Sequence, residues 1–223
     1  MKTRTMLALL ILAAACGAVE THAAEKVELE LDLPQPMFVG TPKNIRTPNL
    51  EKPRGDKERP AFYVPQGTKN VALGKPVTSS DMMPIIGELG LVTDADKEAA
   101  DGCYVELGPG KQYVQIDLGE TYAIHAIVVW HFHSDPRVYR DVVAQVSADK
   151  DFVTGVKTVY NNDHDNSIGL GMGKEKEYIE TNEGRIMDAG GAQGRYVRLY
   201  SNGSTAGEMN HYIEVEVYAT PAE

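Results

Sequence analysis

Residues 113–147, YVQIDLGETYAIHAIVVWHFHSDPRVYRDVVAQVS, limit the fold more than any other part of the chain. Residues 113–118 alternate apolar and polar side chains and run into Gly119. Successive side chains of a strand point to opposite faces, so this run reads as a half-buried strand that stops at the glycine. Residues 123–132 are apolar at nearly every position. A short run of that kind, rich in Val and Ile, predicts a strand covered on both faces, inside a sandwich, with Trp130 buried. Residues 138–147 alternate again. Further strand-like runs occupy residues 156–160, 195–200 and 212–218. No long stretch carries a 3.6-residue apolar period. Many short strands separated by loops predict an all-β antiparallel sandwich.

The first residues have a different purpose. Lys2 and Arg4 precede an apolar run over residues 6–15 that is too short to span a bilayer. Residues 1–23 are therefore expected to be a signal peptide, cut after Thr21-His22-Ala23. The alternative is a lipobox at Ala13-Ala14-Ala15-Cys16, with Cys16 lipidated. Either route exports the protein to the periplasm, the cell surface or the medium. Cys16 is removed or lipidated, so Cys103 has no intrachain partner and the core must hold the fold. Pro34, Pro36, Pro42, Pro48, Pro53, Pro60 and Pro65 then recur among polar residues. That spacing prevents helix and interrupts ladders, so residues 24–69 read as an extended Pro-rich tether. Met37-Phe38-Val39 and Phe62-Tyr63-Val64 are the points able to pack back on the domain. The globular domain is placed at residues 70–220.

Charge removes some functions. The net charge is -10 and no Lys/Arg cluster stands out, so no nucleic-acid partner is expected. Membrane contact would come only through a lipid on Cys16. No G-x-S-x-G, H-E-x-x-H or phosphate-loop sequence occurs, and no enzyme is expected. Asp163 and Asp165 are adjacent loop carboxylates with no apolar pocket to split their pKa values.

Polar loops carry the candidate site. His131, His133 and Arg137 follow the central run. Asn161, Asn162 and His164 follow the run that ends at Tyr160, and Asn210 and His211 precede the last one. If these strand ends lie on one side, the loops share a rim. A sugar needs a flat aromatic face and fixed amides, imidazoles and guanidinium groups for its hydroxyls. Phe132, Tyr139, Tyr200 and Tyr212 are available as the platform. An alternative uses His131 and His133, two apart on a strand, with Asp163 or His164 as ligands for a transition metal.

Five blocks, NVALGKPVTSS, YVQIDLG, VSADKDF, GRYVRLY and EVEVY, resemble the discoidin domain, also called the coagulation factor C-type domain. The resemblance implies a galactose-binding-like jelly roll of two antiparallel sheets that binds glycans, phospholipid or protein and does not catalyse. It further implies a structural Ca²⁺ held by Asp94, Asp96 and Glu214, with Ala95 where the family usually has Gly. The function expected is an exported, non-catalytic module that recognises carbohydrate at a loop rim. The alternatives are a cell-envelope adaptor that docks another protein, or a His/Asp metal-binding domain.

Overall fold

The structure, a computed structural model, describes residues 25–40, 42–55 and 57–222. Residues 1–24, with the expected signal peptide and Cys16, lie outside the described residues. Eleven strands follow in chain order: β1 (Lys26–Glu28), β2 (Tyr63–Pro65), β3 (Lys69–Asn70), β4 (Val77–Ser79), β5 (Val105–Leu107), β6 (Gln112–Trp130), β7 (Val143–Ser147), β8 (Lys157–Asn161), β9 (Arg185–Ser201), β10 (Asn210–Tyr212) and β11 (Glu214–Pro221). A short 3₁₀ helix spans Leu89–Thr93. Every pairing between these strands is antiparallel.

β6 and β9 form the spine. The alternating pattern predicts that a strand stops at Gly119, but β6 continues through it for 19 residues. Gly119 sits at φ +87°, and the register against β9 shifts between Asp117 and Tyr122. Gly190 and Gly191 take φ +57° and +75° on the facing strand. Residues without a Cβ adopt this conformation freely, and such irregularities bend a strand rather than end it. On one side of the bend, β6 pairs with β4 and with the second half of β9, which continues to β7 and β8. On the other side, β6 pairs with the first half of β9 and with β11, which carries β3. One core cluster unites the two halves: Val114, Ile116 and Leu118 meet Ile127, Val129, Val215 and Val217. A single continuous ladder thus supplies both layers of the sandwich.

The two-sided burial read from the central run holds from Ala126 to His131, while Ala123, His125 and Phe132 are half-buried. Ala126 through His131 are fully buried. Ile127 and Val129 face the main core, while Val128 and Trp130 face a second cluster with Ala99 and Ile213. The buried Trp130 indole donates to the Asn182 carbonyl at 3.0 Å.

The Pro-rich segment is extended, and it is fastened to the domain. β1 pairs with β2, and Val64 is 2% exposed. Leu31 packs on the second cluster. Asn182 donates to the Pro34 carbonyl, Arg59 donates to the Glu183 carbonyl, and Arg185 pairs with Glu51 at 2.9 Å. Arg54 pairs with Glu183. Of the apolar triplets, Val64 is buried, whereas Val39 stays 98% exposed. The segment is a strap, held by polar contacts more than by apolar ones.

Candidate functional site

Several chain segments meet at one end of the sandwich. The Arg140 N–H donates to the Gly203 carbonyl, and the Asn202 N–H donates to the Arg140 carbonyl. The Asn162 N–H donates to the Val142 carbonyl, and the Val138 N–H donates to Thr205 Oγ1. The loops over residues 131–142, 161–168 and 202–209 are therefore neighbours.

An aromatic cluster stands on this rim. Tyr104 precedes β5, Phe132 follows β6, and His211 lies in β10. The Tyr104 and Phe132 rings meet edge-on at 5.0 Å, and the His211 ring lies 5.7 and 5.8 Å from them. The Arg137 guanidinium covers Phe132 at 4.6 Å and is gripped by both Asp135 oxygens at 2.7 and 2.8 Å. His211 bonds the buried Tyr139 hydroxyl through Nδ1 and Glu106 through Nε2, each at 2.9 Å. Glu106 is the cross-strand partner of His211 and also bridges to Ile86. Ile86 ends an apolar loop in which Met82 and Met83 are 92% and 83% exposed. Tyr104, Phe132 and His211 are each half-buried. The rim thus presents half-buried rings and the Glu106 carboxylate, oriented by His211, beside the Arg137 cation, which is 8% exposed.

The electrostatics keep these groups in defined states. Burial lowers the His211 pKa, the Arg137 cation lowers it further, and Glu106 opposes both. The imidazole is therefore neutral at pH 7, with one donor and one acceptor nitrogen. Burial works against the Arg137 cation, but the Asp135 bonds outweigh it and raise its pKa.

The sequence candidates divide between this rim and the layer beneath it. Arg137 and His211 belong to the cluster. His131 is fully buried below it, bonded to Glu180 Oε1 at 2.6 Å and stacked on Tyr139 at 4.4 Å. His133 is also fully buried, and its Nε2 donates to the Lys97 carbonyl at 3.0 Å. The two imidazoles have separate partners, so the H-x-H spacing brings no shared metal ligand here. Asn161 Nδ2 donates to the Gly171 carbonyl, and Asn162 Oδ1 accepts the Val142 N–H. Asn210 spends its amide on the Gly108 and Gly110 carbonyls, the Gly203 N–H and the Ser201 hydroxyl. These three asparagines lock loops. His164 is exposed at its loop tip. Among the candidate platform rings, Tyr139 and Tyr212 are buried and Tyr200 is 6% exposed, which leaves Phe132 at the surface. Tyr104 and Glu106 escape sequence reading, because their place depends on β5 pairing with β10. The alternation of Val105, Glu106 and Leu107 was the available signal.

Asp141, Asp163 and Asp165 each place an oxygen within 4.8 Å of the others. Ser167, Ile168 and Asn202 donate to them. The cluster ties the 161–168 loop to residue 141.

The loop implied to hold Ca²⁺ is a second region. Ala95 takes φ +72°, the left-handed conformation that a glycine would adopt there. Its N–H donates to Glu214 Oε2 at 3.1 Å, while the buried Oε1 has no partner. Burial pushes the Glu214 carboxyl up to about 9, and Glu216 and Asp94 add to this against the Ala95 N–H and Lys97. Its neighbour on the same face, Glu216, is neutralised by Lys97 at 2.8 Å. Asp94 and Asp96 are exposed, and each caps a backbone N–H two residues on. The two aspartates and Glu214 are not drawn together as the 141–165 cluster is. An orphaned, buried carboxylate oxygen nevertheless suits a hard cation.

No protein-family model and no curated protein matches the chain. Solved structures do. The family 89 glycoside hydrolase from Clostridium perfringens, in complex with its substrate GlcNAc-α-1,4-galactose, matches with a TM-score of 0.52 at 15% identity, over 69% of this chain and 15% of that one. The fold is the discoidin-type, galactose-binding-like sandwich. Two separate modules match with lower scores over nearly their whole length. A Streptococcus pneumoniae fucose binding module matches with a TM-score of 0.49 at 18% identity, over 68% of this chain and 98% of that one. The CBM32 of AlyQ, in complex with 4,5-unsaturated mannuronic acid, matches with a TM-score of 0.48 at 16% identity, over 64% of this chain and 92% of that one. In the aromatic rim, Phe132 and Arg137 stand on the loop between β6 and β7, whereas Glu106 and His211 stand on the β5–β10 pair.

Proposed function

We propose that this protein is an exported, non-catalytic module that binds carbohydrate at the rim formed by Tyr104, Phe132, Arg137 and His211. The observation that carries the reading is the ring cluster framed by Arg137 and Glu106. The C–H face of a pyranose packs on an aromatic face, while Arg137 Nη1 and Glu106 Oε1, which no neighbour claims, bond its hydroxyls, and His211 holds Glu106 in place. The groups are held by neighbours, with Asp135 on Arg137 and Tyr139 and Glu106 on His211. Pre-ordering of that kind reduces the entropy lost on binding. Export rests on the basic and apolar character of residues 1–15. A structural Ca²⁺ at Glu214 belongs to the same reading, with Oε1 as a ligand and loop oxygens around Asp94 and Asp96 completing the shell.

Screening the full chain against an array of neutral and acidic glycans tests the reading, followed by calorimetry on the hits. Phe132→Leu keeps apolar volume on the second cluster but removes the ring. It is expected to weaken binding about tenfold and to leave the melting temperature nearly unchanged. An array with no hit, or a Phe132→Leu variant that binds as the parent does, counts against the rim.

A further inference from the structure

Beside the ring cluster, the strap crosses the rim. Asn44 and Arg46 of the strap face Asp135, Arg140 and Thr205 across a concavity of about 510 Å³. Both Asp135 oxygens are taken by Arg137, so that carboxylate is neutralised from behind. Among the described residues no other carboxylate lines the concavity, and neither Arg46 nor Arg140 has an ionic partner. Thr205 Oγ1 accepts the Val138 N–H, which leaves its hydroxyl hydrogen free to donate. The surroundings are therefore two unneutralised guanidinium groups, a hydroxyl donor and an amide, in a protein of net charge -10. A charge-poor sugar gains little from such a place. An oxyanion gains charge-assisted hydrogen bonds, which a guanidinium group can make in pairs.

We propose that this concavity is a second subsite for an anionic sugar unit, one bearing a carboxylate or a sulfate ester. It extends the ring platform, to which it is joined through Asp135 and the Arg137 that covers Phe132. The proposal rests on the carbohydrate reading and adds the charge of the ligand. It also gives the strap a function, since Arg46 comes from residues outside the sandwich and would supply half of the positive charge.

The test uses the full chain with three probes of similar length: oligogalacturonate, chondroitin sulfate oligosaccharide and a neutral galactan oligosaccharide. The acidic probes are expected to bind about tenfold more tightly than the neutral one, with an advantage that shrinks as salt rises. Comparing the two acidic probes tells carboxylate from sulfate, and preference for either supports the subsite. Arg46→Ala/Arg140→Ala should abolish the advantage without changing neutral binding or melting temperature, since both side chains are exposed. Arg140→Glu should reverse it. Equal affinity for acidic and neutral probes would overturn the subsite and leave the carbohydrate reading standing. So would an advantage that survives the double substitution. Failure of all three probes and of the whole glycan array would remove both.

Discussion

Glu214 is the residue whose chemistry reaches furthest. Its carboxyl is raised from an ordinary 4.5 to about 9 in the folded chain. Between those values the folded state holds a proton that the unfolded chain has lost. Stability therefore falls as pH rises through that window, and the penalty is absent below it. A bound Ca²⁺ needs the ionised form, so its stabilising effect should grow with pH. In chelator, melting temperatures should fall from mildly acidic pH towards pH 9. Calcium should cancel the fall, by about 2.7 kcal/mol at a hundredfold excess over Kd. Glu214→Gln should remove both the slope and the calcium response. A slope untouched by calcium would show that no hard cation sits there. The sequence pointed to Glu214 through a family resemblance, but it could not show that Lys97 serves Glu216 and leaves Glu214 without a cation. Likewise, His131 and His133 looked like rim ligands because each follows a strand. Their partners, Glu180 and the Lys97 carbonyl, come from distant parts of the chain, and those contacts bury them.

At the scale of elements, the apolar periods were a sound guide to which runs are strands and a poor guide to where they end. Gly119 reads as a terminator in one dimension. In the folded chain, Gly119, Gly190 and Gly191 let two paired strands bend together, so the ladder survives. The pairing of β5 with β10, which brings Glu106 to His211, leaves almost no local trace. The strap shows the same limit, since proline spacing specifies an extended backbone but not the surface it touches. Its contacts are few and mainly polar, and exposed ion pairs contribute little each. A fragment of residues 66–222 should therefore keep a cooperative thermal transition, at a melting temperature several degrees lower because Leu31 no longer covers the second cluster and the buried Val64 is lost. Loss of the transition would make the strap an integral part of the fold. An unchanged melting temperature would mean that its contacts do not persist in solution.

In the whole molecule, one fold serves one end. The continuous ladder through β6 and β9 fixes both layers and brings the loop ends together, and the loops carry the exposed chemistry. The central claim is that carbohydrate binds at that end. The most direct measurement is a ¹H–¹⁵N correlation spectrum of the labelled protein, titrated with the best glycan from the array. Saturable shifts are expected, confined to Tyr104, Glu106, Phe132, Arg137, His211 and the adjoining loops, with the amides of β3 and of the β6 bend at Gly119 unmoved. Shifts centred on the opposite end of the sandwich would contradict it.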